Sequence, residues 1–185
     1  MKASLCIGEN QTLPQEIFTL FEKSLMSDVT SSRLKFASIY FSAWRFEEAA
    51  AILNQVDALV SNKVICFSPC LDFLKHKFDL ELLRRRKEFL HMLQNEVALS
   101  TIFSRHEINC VPGQLVAEFY RTVTVEDKAC RGALNSSCME WMGLAVVDSL
   151  PYMYYLQYLI FRTTGLISDK DIAFKNLQTV IFPEA

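Results

Sequence analysis

The sequence is poor in the residues that break helices and form tight turns. Five glycines and five prolines occur among 185 residues, which leaves few positions for the β-turns of an all-β fold. Apolar residues recur every three or four positions instead of alternating, as they do on one face of a helix. The sequence therefore predicts an all-α fold, in a single domain that covers residues 1–185.

The chain also lacks an excess of either charge. Nineteen Lys and Arg against 21 Asp and Glu give a formal net charge of −2, so there is no overall cationic field of the kind that nucleic acids or anionic lipid surfaces usually require. Hydrophobic residues at 51% and charged residues at 22% are typical of a packed globular core and argue against general disorder. A nucleic-acid partner would therefore have to bind a local basic run.

Neither a secretory leader nor a convincing membrane span is recognisable. The first turns of the sequence contain one lysine and a broken apolar run without a small-residue cleavage site, so we expect a cytoplasmic protein with reduced cysteines. The most apolar stretch contains Asp148, Pro151 and Gln157, and such residues are costly or disruptive in hydrocarbon. We predict buried helices at residues 139–147 and 151–163, and no membrane span.

Residues 33–60 predict two short amphipathic helices joined by a tight turn. In each helix a small residue accompanies a large one: Ala37 precedes Tyr40 by three positions, and Ala49 precedes Leu53 by four. Residues three or four apart share one face of a helix. Each helix therefore places a small side chain next to a large one on the same face. The pattern favours a repeat-like pair of helices, and an ordinary helical hairpin in a bundle is the alternative.

This spacing resembles the tetratricopeptide repeat, a helix-turn-helix of about 34 residues. Arg33 stands where that family favours tryptophan, and Trp44 replaces the usual turn glycine, so the repeat is degenerate. The resemblance implies stacked antiparallel helical hairpins. The positions that match the family pattern are Ala37, Tyr40, Phe46, Ala49, Leu53 and Val56.

A second degenerate repeat is predicted at residues 155–182, with Gly165 at its turn. Ala173, Leu177 and Val180 there repeat the spacing of Ala49, Leu53 and Val56. Between the two regions, residues 122–137 are polar and are the candidate for a mobile surface connector.

In the tetratricopeptide family, the groove side of the first helix carries the contacts to the ligand. That surface is small and mostly neutral here, so the resemblance implies an apolar peptide or helix as the partner rather than an acidic tail. We predict a non-enzymatic protein–protein interaction module or scaffold. Its partner groove is predicted to consist of Ser31, Leu34, Ser38, Phe41 and Ser42.

A narrower resemblance covers residues 31–181. Residues 106–112 (HEINCVP), Glu118 and residues 148–156 (DSLPYMYYL) are similar to the carboxy-terminal helical region of invertebrate cyclic GMP-AMP synthase-like proteins, in the male-abnormal nucleotidyltransferase family. In that family the region follows a catalytic core. The Gly-Ser turn and the paired carboxylates that hold a triphosphate and two metal ions are not recognisable here. The resemblance therefore implies architecture and not activity.

Arg84, Arg85, Arg86 and Lys87 form the sharpest cluster of charge. Such a run could contact phosphate, which supports an alternative function as a regulatory or nucleic-acid-contacting appendage of a nucleotidyltransferase-type innate immune sensor. Successive cations on a helix point in different directions, however, and aromatic residues do not interleave with the run. A solvated helix face explains it more simply. A third hypothesis makes the domain a packing partner for an absent core, with an exposed apolar patch and self-association.

Cys66, Cys70 and His76 are residues of the types that bind zinc. Their spacing matches no recognised zinc finger, and free cysteine is among the most buried residue types. Structural thiols are therefore the simpler interpretation, and we predict no metal site.

Ser149, His106 and Asp148 could supply a nucleophile, a base and an orienting group. Ser149 lacks the Gly-x-Ser-x-Gly turn of the hydrolases, and Asp148 is better explained as the cap of the helix that follows it. We predict neither enzyme activity nor a cofactor.

Overall fold

The computed structural model describes residues 2–25, 28–60, 65–67, 97–120 and 143–182, and this part of the chain is mostly helical with a small β component. Two 3₁₀ helices, Arg105–Cys110 and Gly113–Tyr120, follow the third strand. The other elements are helices α1 (Lys2–Gly8), α2 (Gln15–Ser24), α3 (Ser31–Ser42), α4 (Phe46–Val60), α5 (Ser149–Thr164) and α6 (Ile167–Ile181), with strands β1 (Ile65–Phe67), β2 (Val97–Leu99), β3 (Thr101–Ser104) and β4 (Leu144–Val147).

The described residues agree with the all-α prediction in the main, but four strands add a small β component that it did not include. β1 pairs with β2 in parallel, and β3 pairs with β4 in antiparallel register, with Thr101 opposite Val147. β4 occupies part of the segment 139–147 that we predicted as a helix, because a short apolar run fits a buried strand and a buried helix equally well. Within the described ranges, no helix has the length and apolar character needed to cross a bilayer.

α3 and α4 form the helical hairpin that residues 33–60 predict. Ala37 and Ala49 are both fully buried in the main core, together with Leu53 and Val56. The two helices pack against each other, so the small residues allow the close approach that their spacing indicates.

α5 and α6 form a second hairpin at the place predicted for residues 155–182, although α5 begins earlier, at Ser149. Gly165 reverses the chain with a φ of +77°, and the N–H of Leu166 donates to the carbonyl oxygen of Phe161. α6 packs on α5 and buries Ala173, while α5 also packs on both α3 and α4.

The main core lies between these hairpins and the β3–β4 pair. Phe103 of β3 meets Tyr152 of α5 edge to face, with ring centroids 5.8 Å apart, and such aromatic contacts add to the stabilisation from burial alone. A smaller cluster, Ala3, Ile17, Ile39 and Cys110, joins α1 and α2 to the first 3₁₀ helix and the outer side of α3.

The residues at the beginning of α3 and α5 both contact the carbonyl oxygen of Leu99, the last residue of β2. The hydroxyl of Thr30 lies 3.0 Å from the Leu99 carbonyl oxygen and 3.1 Å from the Ser149 hydroxyl, which also bonds to Leu99. Beside them, the carboxylate of Asp148 accepts a hydrogen bond of 2.9 Å from Ser100. These buried polar contacts fix the beginning of both helices to the end of β2.

Asp28 caps α3 from outside its first turn. Its carboxylate accepts hydrogen bonds from the backbone N–H groups of Thr30 at 3.1 Å, of Ser31, and of Ser32 at 3.3 Å. Arg33 donates in turn to the carbonyl oxygen of Asp28 at 2.6 Å. N–H groups that no helical carbonyl can reach are thereby satisfied.

Replacing Asp28 by Ala should lower the free energy of unfolding by about 1–2 kcal/mol, the usual loss when a helix cap is removed. Asp28→Asn keeps an acceptor oxygen and should lose much less. Urea denaturation followed by far-ultraviolet circular dichroism measures both. Equal losses for the two variants would contradict capping by the side-chain oxygen.

An ion pair joins α3 to the first 3₁₀ helix. Lys35 Nζ lies 2.9 Å from the carboxylate of Glu107, which also accepts hydrogen bonds from the N–H and the hydroxyl of Ser104 at 2.9 and 3.0 Å. Burial raises the pKa of Glu107, but the Ser104 hydrogen bonds and the Lys35 charge outweigh it and hold this pKa below its ordinary value of 4.5. The ionised carboxylate therefore stabilises the folded state.

The contribution of Glu107 to the free energy of unfolding should be fully present above pH 4.5. It should decline as the pH falls through the lower pKa of the folded state, because Glu107 binds a proton more tightly in the unfolded chain. Urea denaturation of the wild type and Glu107→Gln, between about pH 6 and about pH 3, tests this. The difference in unfolding free energy between them should shrink toward the acid end. A constant difference would contradict the assignment.

Candidate functional site

The five residues predicted as a partner groove do not form one surface. Leu34 and Ser38 are fully buried, because β3 and α5 pack against α3. The Ser38 hydroxyl donates to the carbonyl oxygen of Cys110 at 2.6 Å, and the Tyr152 hydroxyl lies 2.7 Å from it. The prediction of a partner contact is therefore wrong for Leu34 and Ser38, which belong to the core.

The remaining groove residues lie at opposite ends of α3. Ser31 opens the helix beside the Asp28 cap. Phe41 and Ser42 end the helix. At a helical rise of about 1.5 Å per residue, they lie about 15 Å from Ser31. These two residues line a cavity of about 260 Å³.

This cavity, called here the aromatic cavity, lies where the end of α3, the segment between the two 3₁₀ helices and the end of α5 meet. Its described lining is mostly aromatic and aliphatic, and its polar groups are uncharged. The lining residues are Phe41, Ser42, Trp44, Phe46, Asn109, Val111, Pro112, Gly113 and Thr163.

Trp44 is the most exposed large hydrophobic side chain of the described residues, with 77% of its surface accessible. It follows α3 with a φ of +60°. Its N–H donates to the carbonyl oxygen of Phe41 at 3.0 Å, and the N–H of Arg45 donates to that of Tyr40 at 2.9 Å. This is the Schellman helix ending, in which the left-handed position is usually glycine.

The two other positive-φ residues in the described part of the chain show what is unusual about Trp44. Asn10 ends α1 with a φ of +53°, and Gly165 ends α5 with a φ of +77°. Glycine, and to a lesser degree asparagine, adopt this conformation readily, whereas other side chains are strained by about 1–2 kcal/mol. A large residue in such a position, with most of its surface in solvent, points to a role outside folding.

The residues around Trp44 pack aromatic rings against each other and direct the charge of Arg45 away from the cavity. Phe46 lies 5.7 Å from Trp44 and 5.7 Å from Phe41 between ring centroids. The guanidinium of Arg45 instead stacks over the ring of Tyr40 at 4.6 Å and pairs with Glu48. The pKa of Glu48 is lowered by its hydrogen bond from Arg45. The aromatic cavity therefore stays neutral.

The sequence signal for Trp44 is its replacement of the turn glycine in the repeat pattern. Taken alone, that departure indicates only that the repeat is degenerate. Val111 and Pro112 carried no site signal, since they join the cavity through the fold and not through sequence proximity.

A larger cavity of about 450 Å³ lies between α5, α6 and the second 3₁₀ helix. Two of its polar groups are already engaged, since Asp148 accepts the hydrogen bond from Ser100 and Tyr152 bonds to Ser38. Burial raises the pKa of Tyr155, a third lining residue, and keeps its hydroxyl neutral.

The candidate hydrolase residues are not assembled into a catalytic triad. Ser149 is buried and bonds to Leu99 and Thr30, whereas His106 is exposed in the first 3₁₀ helix. Asp148 does occupy the cap position of α5, but its side chain makes no capping hydrogen bond. Among the described residues, no hydrogen bond links these three side chains.

Several predicted features lie outside the described residues. They include the basic run Arg84, Arg85, Arg86 and Lys87, the connector at 122–137, and Cys70 and His76 of the candidate zinc set. Cys66 falls in β1. Within the described ranges, no group of three or more His, Cys, Asp and Glu side chains is placed to hold a metal ion.

Comparison with known proteins finds no family model that matches the chain, and no similar curated protein or solved structure. The resemblances to the tetratricopeptide repeat and to the synthase-like proteins therefore stay predictions. The aromatic cavity is the feature on which a functional proposal can rest.

Replacing Trp44 by Gly should leave the free energy of unfolding unchanged or raise it by up to about 1 kcal/mol, because the left-handed backbone loses its strain. Gly165→Ala is the matched control, since it adds a side chain at the equivalent position and should lower that energy by about 1 kcal/mol. Urea denaturation measures both. A loss above about 1 kcal/mol for Trp44→Gly would mean that the indole stabilises the fold.

Proposed function

We propose that this chain is a non-enzymatic protein–protein interaction module, which binds an apolar side chain of a protein or peptide partner in the aromatic cavity. The observation that carries the proposal is the exposed indole of Trp44, held at the cavity in a backbone conformation that favours glycine. Tryptophan is among the residues most enriched in the energetic centres of protein interfaces.

The size and polarity of the cavity favour a side chain over a cofactor or metabolite. Its 260 Å³ falls below the range of about 300–1,000 Å³ that small-molecule pockets usually occupy. One large apolar side chain is a suitable occupant. The uncharged lining suits a neutral residue, and it supplies no titratable group for general acid–base chemistry.

The packing of the helices supports a degenerate tetratricopeptide-like scaffold. The two helical hairpins pack together although strands and 3₁₀ helices lie between them in the sequence, since α5 packs on both helices of the first hairpin. A scaffold of packed hairpins holds the ends of α3 and α5 in fixed positions. The cavity is therefore formed before a partner binds, which lowers the entropic cost of binding. The alternative function as a nucleic-acid-contacting appendage rests on Arg84 to Lys87, outside the described residues.

Selection from a phage-displayed library of random peptides tests the function. Peptides enriched on the wild-type chain should share one aromatic or large aliphatic residue, which fills the cavity. Their dissociation constants should rise at least about 10-fold on Trp44→Gly, since a central tryptophan commonly contributes more than 1 kcal/mol.

Leu20→Ala is the matched control, because Leu20 is another exposed large residue but lies on α2. It should leave the affinity of the selected peptides unchanged. The indole N–H signal that disappears from the nuclear magnetic resonance spectrum of Trp44→Gly identifies Trp44, and this signal should shift when peptide is added. Failure to enrich peptides, or equal affinities for wild type and Trp44→Gly, would refute the proposed site.

A further inference from the structure

The cavity between α5, α6 and the second 3₁₀ helix is larger than the aromatic cavity and differs from it in having a charged residue. It is called here the α5–α6 cavity. Its volume of about 450 Å³ falls within the range of about 300–1,000 Å³ that small-molecule pockets usually occupy. Asp148 is the only charged residue of its described lining, which otherwise consists mainly of aliphatic side chains and the rings of Tyr152 and Tyr155.

The antiparallel hairpin of α5 and α6 forms most of this cavity. The first turns of α5 lie opposite the last turns of α6, so Pro151 and Tyr155 share the lining with Leu177 and Ile181. Asp148 directly precedes α5 and is exposed. A ligand can therefore reach the carboxylate from solvent and still bury its remaining surface between the two helices.

The carboxylate of Asp148 is only partly engaged by the protein. Its Oδ1 accepts the hydrogen bond of 2.9 Å from Ser100, whereas its Oδ2 has no hydrogen-bond partner among the described residues. The side chain also makes no capping hydrogen bond to α5, although aspartate commonly caps a helix from this position. A carboxylate can accept about four hydrogen bonds, so Asp148 can still accept hydrogen bonds from a ligand.

We propose that the α5–α6 cavity binds a small organic cation, whose ammonium group pairs with Asp148 and whose aromatic or aliphatic body packs between α5 and α6. Hydrogen bonds between an ammonium group and a carboxylate are about twice as strong as neutral ones. The faces of tyrosine rings attract cations as well, and the aliphatic lining favours burial of the apolar body. A ligand with a carboxylate of its own is disfavoured, because two carboxylates in one cavity repel each other.

The charges along α5 determine the orientation of the ligand. Asp148 and Arg162 lie seven residues before and after Tyr155, about 10 Å away in each direction along the helix at about 1.5 Å per residue. Burial raises the pKa of Tyr155, and the charge of Arg162 partly opposes this rise, so Arg162 acts at the Tyr155 end of the cavity. The ammonium group therefore binds at the Asp148 end, away from that positive charge.

Titration of the full chain with tryptamine, followed through the backbone amide signals in nuclear magnetic resonance spectra, tests the proposal. Tryptophol and indoleacetate keep the indole ring and replace the ammonium group by a hydroxyl and a carboxylate. Tryptamine should bind with a dissociation constant between about 10 µM and about 1 mM, as expected for a ligand of about a dozen heavy atoms. Tryptophol should bind at least about 10-fold more weakly, and indoleacetate more weakly still.

Asp148→Asn removes the charge and keeps an oxygen for the hydrogen bond from Ser100. It should raise the dissociation constant of tryptamine at least about 10-fold and leave that of tryptophol unchanged. Asp169→Asn is the matched control, since Asp169 is an exposed carboxylate in the first turn of α6, outside the cavity lining. It should leave the affinity for tryptamine unchanged. Leu177→Trp, which fills the cavity, should weaken the binding of all three indoles.

The absence of tryptamine binding to the wild type at millimolar concentration would overturn the proposal. Equal affinities of the wild type for tryptamine and tryptophol, or of the wild type and Asp148→Asn for tryptamine, would exclude recognition by the carboxylate. Amide signals that shift only around Trp44 would place the ligand in the aromatic cavity instead. Trp44→Gly should leave the affinity for tryptamine unchanged, so the proposed peptide site is tested separately.

Discussion

The fold depends on the carbonyl oxygen of Leu99, at which two helices begin. The hydroxyls of Thr30 and Ser149 both lie within hydrogen-bonding distance of this oxygen and of each other. Each hydroxyl has one proton, so two of these three contacts are hydrogen bonds at one time. The Leu99 carbonyl oxygen can accept from both hydroxyls only when both helices are in place. Removing one hydroxyl would leave the other donating to Leu99, but the carbonyl oxygen would lose one of its two donors, at a net cost of about 0.5–1.5 kcal/mol. This polar group therefore fixes where α3 and α5 begin.

The shared beginning of α3 and α5 determines where the aromatic cavity forms. Both helices leave the Leu99 carbonyl, and their last turns meet again, since Phe41 and Thr163 line the same cavity. The buried hydrogen bond between Ser38 and Tyr152 ties the helices together between these points. Burial raises the pKa of Tyr152 and raises that of Cys110 to about 11, so both groups stay neutral within the core. Polar contacts along α3 and α5 thus help to set the geometry of the cavity.

The sequence predicts those parts of the fold that depend on neighbouring residues. Ala37 and Ala49 indicate the first hairpin because helix spacing is local, and Gly165 indicates the turn of the second. β4 could not be predicted in this way, since its partner β3 lies more than 40 residues earlier and the same apolar run fits a helix. The predicted groove residues separate into buried residues and cavity-lining residues for a similar reason. Leu34 and Ser38 point to α5 and β3, which a repeat pattern read from α3 alone does not reveal, whereas Phe41 and Ser42 lie beyond that contact.

Trp44 departs from what the packing of the fold requires. It is a local conflict between a bulky residue and a left-handed backbone. A natural sequence is expected to satisfy its own fold at most positions, so unresolved conflicts concentrate at functional surfaces.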